Sequence, residues 1–208
     1  MRLGMSLIIS IAFLVGCQNA SPTPIPLPGW NFLVSDLLLE ENSFPEGWER
    51  IRDHPQGSLT DPTIGYVYRS WWGKAQGYGK TDQAIWRATS IADSKAHYDE
   101  LRGSQFEPSH PLALGTVFVP FKPPTEIDFQ SKVADEFYLA CGWWDWAYCE
   151  VIGRYGNYVV EMGLDLEAEY EGHSTHGLTY AEIETVVEAM DTRFAEFLEA
   201  FPLSTSTP

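Results

Sequence analysis

Residues 149–166, CEVIGRYGNYVVEMGLDL, alternate apolar and polar positions in two runs on either side of Gly156-Asn157. A period of two marks strands, and a two-residue Gly-X turn joining them predicts a hairpin. Setting the turn there places Tyr155 opposite Tyr158, Val151 opposite Met162, Cys149 opposite Leu164 and Ala147 opposite Leu166. All of these fall on one apolar face. Arg154, Glu150, Glu161 and Asp165 fall on the other, which is expected to face solvent. A slip of one residue would mix the two sets, so the register is strongly specified.

The period lengthens further on. Ile183, Val187, Met190, Phe194, Phe197 and Phe201 recur at helical spacing, and Val186 and Leu198 widen the stripe. Glu184, Glu188, Asp191, Glu196 and Glu199 sit largely elsewhere around the helix. Thr179 followed by Glu182 forms a capping box at its start. A second, shorter helix is predicted over 91–103, capped by Ser90 or Asp93, with Ala92, Ala96 and Leu101 along one side and Gly103 as the stop. Strands are predicted within 64–73 and 83–90 around a Gly-rich loop, and at 116–120 inside a proline-rich stretch running from 104 to 131. Residues 35–51 suggest a short helix, then a Pro-Glu-Gly turn into a strand.

The first residues follow neither period. Arg2 precedes an apolar run at 7–15, which is too short for the ~20 residues that a membrane-spanning helix needs. Leu14-Val15-Gly16-Cys17 comes next, and this resembles the lipobox of bacterial lipoproteins. The resemblance implies removal of residues 1–16 as a signal peptide and acylation of Cys17, with palmitate among the acyl groups. It also implies an address outside the cytoplasm, at the outer face of a bacterial cell membrane. Two or three chains on one cysteine anchor a protein firmly, each buried CH₂ contributing about 0.8 kcal/mol. Residues 17–29 carry the lipidated cysteine and a proline-rich tether that spans ~30–40 Å at ~3.1 Å per residue. A single domain over 30–201 and a disordered tail at 202–208 complete the division.

With Cys17 assigned to lipid, two cysteines remain, in a compartment that favours disulfides. Pairing Cys141 with Cys149 puts Leu139 opposite Val151 and Phe137 opposite Gly153, which extends the apolar face already derived. A three-stranded meander over about 133–142, 146–155 and 157–167 follows, clamped by that disulfide. Redox chemistry fits poorly, because seven residues separate the pair and no base adjoins either cysteine. The expected class is α+β: one antiparallel sheet of five or six strands, with the long C-terminal helix and the shorter middle helix on one face. The part after Cys17 resembles extracytoplasmic α+β lipoprotein domains in its order of strand, helix and paired strands, a likeness of fold class that carries no activity.

Charge narrows the partners. The chain holds 13 basic and 29 acidic residues; cleavage removes Arg2, leaving 12 against 29 and a net charge near −17. Such a domain repels phosphate backbones, which argues against nucleic acid as a partner. Asp165, Glu167, Glu169 and Glu171, with His173 and His176 beyond, offer hard and borderline donors, but on a strand face expected to be solvated and without helical support for the His-x-x-His spacing. No metal site is assigned. "GKAQGYGKTD" misses a phosphate-binding loop by one residue, and no nucleophile elbow or zincin motif is present. No catalytic residue and no cofactor is assigned.

What remains points to a non-enzymatic, lipid-anchored domain that binds an envelope protein or a glycan, held to the membrane by its N-terminal lipid. Trp143, Trp144 and Trp146, at the tip of the stapled hairpin between Gly142 and Asp145, are the candidate binding surface, since tryptophan faces stack on sugars and anchor interfaces. Two alternatives stand beside it. One is a carboxylate-dependent hydrolase of envelope polymers using Asp135 or Glu136; the other is a structural assembly lipoprotein.

Overall fold

A computed structural model describes residues 34–56, 64–74, 79–104, 106 and 118–200. The signal peptide, Cys17, the tether over 17–29 and the tail over 202–208 lie outside the described residues, as does Phe201. Strands β1 (Trp48–Gln56), β2 (Ile64–Lys74) and β3 (Lys80–Ala88) precede helix α1 (Ile91–Ser104). After it come β4 (Phe118–Lys122), β5 (Glu136–Trp144), β6 (Trp146–Tyr155), β7 (Tyr158–Asp165), the short pair β8 (Ala168–Tyr170) and β9 (His173–Thr175), and helix α2 (Tyr180–Ala200). The first seven strands form one sheet in the order β1-β2-β3-β7-β6-β5-β4, every neighbour antiparallel. The α+β class and the antiparallel sheet are as expected, with seven strands instead of five or six.

The meander is the element most fully anticipated. Tyr155 faces Tyr158, Val151 faces Met162, Cys149 faces Leu164, and Leu139 faces Val151. Gly156 takes φ 61° at the first turn position, where a side chain would be strained. Asn157 donates its side-chain amide to the Ala88 carbonyl, tying the turn to the end of β3. Cys141 and Cys149 are direct partners, their sulfurs 2.00 Å apart.

Alternation sends two residue sets to opposite sides. Ile85, Val151, Tyr155, Val160, Met162 and Leu164 meet α2, the 3₁₀ turn at 34–37 and Leu38, Leu39 and Phe44 after it in the main core. On α2, Ile183, Val186, Val187, Met190 and Phe194 are buried, and Phe194 stacks on Tyr155 with ring centres 4.0 Å apart. The capping box closes at both hands: Glu182 accepts from the Thr179 N–H at 2.8 Å, and Thr179 Oγ1 accepts from the Glu182 N–H. Asp191, expected on the polar side, is buried instead. It accepts from the hydroxyls of Tyr155 and Ser131, so this carboxylate pins the 123–135 segment and β6 to the helix.

The shorter helix departs from expectation. Helix α1 packs on the other face of the sheet, against Ala84, Trp86, Ile152 and Val159. It does so through Tyr98 and Leu101, while Ala92 and Ala96 are exposed. Buried Ser94 explains the rotation: its hydroxyl reaches the Gly156 carbonyl at 2.7 Å, fixing the helix over the hairpin turn. Ser90 is the cap, accepting from the Asp93 N–H.

Candidate functional site

Helix α1 covers only part of its face of the sheet. Beyond its footprint, toward the β5–β6 tip, the same face opens as a groove of about 530 Å³, lined among the described residues by Lys80, Asp82, Trp146, Tyr148, Glu150, Glu161, Gly163 and Asp165. Strand pairing dictates this gathering. Asp82, Gly163 and Glu150 form one row across β3, β7 and β6, and Asp165 and Tyr148 form the next. The polar half of the meander, expected in solvent, thus becomes the floor and wall of a concavity. Glu150 and Glu161 are only 6% and 7% exposed.

The centre of the row lacks a side chain. A Cβ on Gly163 would lie 3.1 Å from Asp82 Oδ1 and 3.7 Å from Glu150 Oε2, so glycine leaves the room into which both carboxylates lean. Asp82, Glu150 and Glu161 already have partners within the fold. Among the described residues the lining carries four carboxylates, of Asp82, Glu150, Glu161 and Asp165, and one ammonium, of Lys80. Burial, the Asp82 charge adding to it, pushes the Asp165 carboxyl up to about 6, against the Lys80 N–H that donates to it at 2.7 Å. Burial and the charges of Glu150 and Glu161 push the Tyr148 phenol up to about 12.

The three tryptophans separate. Trp143 is 4% exposed and belongs to the main core, because it shares the face of Leu139 and Cys141. Its ring thus faces the interior, not the surface expected for it. Trp144 is half-buried, opposite Phe118 and Trp146. Trp146 is 52% exposed and stands at the groove, its ring 6.0 Å from Tyr148. The turn consists of Asp145 alone, at φ 61°. Gly142 lies inside β5, where a Cβ would meet the Phe121 ring at 2.8 Å. From Trp146 the aromatic contacts continue through Tyr148 and Phe121 to Phe106 and Tyr138, with the Arg102 guanidinium 4.5 Å from the Tyr138 ring centre.

The acids named for hydrolysis are committed elsewhere. Arg154 donates to Glu136 at 2.6 Å and to Asp135 at 3.0 Å, and Lys95 holds the other oxygen of Glu136 at 3.1 Å. Burial opposes ionisation of Glu136, yet these hydrogen bonds hold its carboxyl below the ordinary range. Glu169 and His173 lie on the β8–β9 hairpin, and Glu171 in its turn. Among the described residues, no three His, Cys, Asp or Glu side chains are placed to hold a metal ion. Asp82, Lys80, Tyr148 and Gly163 escaped the sequence reading. Starting the strand at Lys80 rather than residue 83 would have put Asp82 in phase with Ala84 and Trp86.

Comparison with protein-family models, curated proteins and solved structures finds no match to this chain. Among the described residues no helix is long and apolar enough to cross a membrane.

Proposed function

We propose that this chain is an extracytoplasmic binding domain, anchored by lipid on Cys17, whose ligand or envelope partner occupies the groove between Trp146 and the carboxylates of β3, β6 and β7. One observation carries the reading: a large aromatic side chain is left exposed at the edge of a concave sheet face instead of being folded into either core. Solvent-exposed tryptophan beside polar groups is the usual composition of an interaction centre. Residues 34–39 support it from the other side. They pack against the α2 core, with the Leu39 N–H donating to Gln83, on the face of the sheet away from the groove.

The test is in-cell crosslinking of the intact lipoprotein, comparing wild type with Trp146→Ala and, as control, Tyr170→Ala, which alters an exposed aromatic on the β8–β9 hairpin. Capture of one defined species by wild type and the control, lost in Trp146→Ala, is the expected result. Capture indifferent to Trp146, or none, overturns the reading. Metabolic labelling with a palmitate analogue should mark wild type and not Cys17→Ala.

A hydrolase of envelope polymers is the second reading, now resting on different acids. Asp82 and Glu150 converge over Gly163, and Asp165 beside them titrates at about 6, near the range useful for proton transfer. It requires turnover of cell-wall fragments that disappears in Asp82→Asn; binding without turnover excludes it.

A further inference from the structure

We draw no further inference here: the strongest candidate, the row of aromatic rings running beside helix α1 from Trp146 through Tyr148 and Phe121 to Phe106 and Tyr138, continues the groove already described, and nothing in the structure shows what covers it.

Discussion

Asp82 and Glu150 belong to strands separated by β7, yet their carboxylates lean over the same residue, Gly163, at 3.1 Å and 3.7 Å from where its Cβ would stand. Like charges brought that close to one point must be stabilised by contacts in the fold, or by what binds there. The space is created by the absence of a single methyl group.

Gly163→Ala is therefore expected to separate groove from fold. The methyl group meets the mobile end of Asp82, which can yield by a fraction of an ångström, and a side chain also restricts the unfolded strand. Stability should shift by less than about 1 kcal/mol in urea denaturation, while capture of the groove's partner in cells weakens at least about fivefold as the carboxylates are pushed apart.

Asp165 should leave a signature in the dependence of stability on pH. Lys80 and Asp82 on β3, Tyr148 and Glu150 on β6 and Glu161 on β7 share its groove. Its carboxyl rises from 3.8 in an exposed chain to about 6, so the folded state holds the proton more tightly than the unfolded state. That contribution is complete below 3.8 and is lost as the pH rises through about 6. Chemical denaturation across this window should show wild type losing stability relative to Asp165→Asn as the pH increases, and identical slopes would refute the shift.

The sulfurs of Cys141 and Cys149, eight residues apart in sequence, close a short loop. Replacing both with alanine should cost about 2–3 kcal/mol, the range for so small a loop, without altering the strand register that the β6–β7 turn independently sets. Peptide mapping of the untreated protein should recover this pair as one disulfide-linked species.

The buried carboxylate of Asp191 serves two hydroxyls. Tyr155→Phe removes one donor and should cost about 1 kcal/mol, whereas Asp191→Ala strands both Tyr155 and Ser131 and should cost about 1–3 kcal/mol. A double-mutant cycle should show coupling, since the pair shares one network.

Local chemistry made much of this architecture legible. The Gly156-Asn157 turn, the Cys141–Cys149 pair and alternation over three strands together fixed the meander's register, and Thr179 with Glu182 fixed the start of α2. Faces were harder. Ala92 and Ala96 suggested one side of α1, but Ser94 decided it through a bond to Gly156, more than sixty residues away. Glu150 and Glu161 were assigned to solvent because alternation says only which residues share a side. Whether that side is wet depends on where α1 crosses the sheet. Of the tryptophans, only Trp143 turns inward, for the related reason that β5 continues past Gly142 to Trp144.

The first described residues fasten to the interior of the sheet, with Leu39 bonded to Gln83 on β3 and the Asp36 carbonyl to Arg193 on α2. Load applied through the N-terminal segment therefore reaches a middle strand and the long helix together, and also the edge strand β1, whose Arg50 donates to the Leu39 carbonyl at 2.7 Å. Three separate elements share that force, so none of them carries it alone.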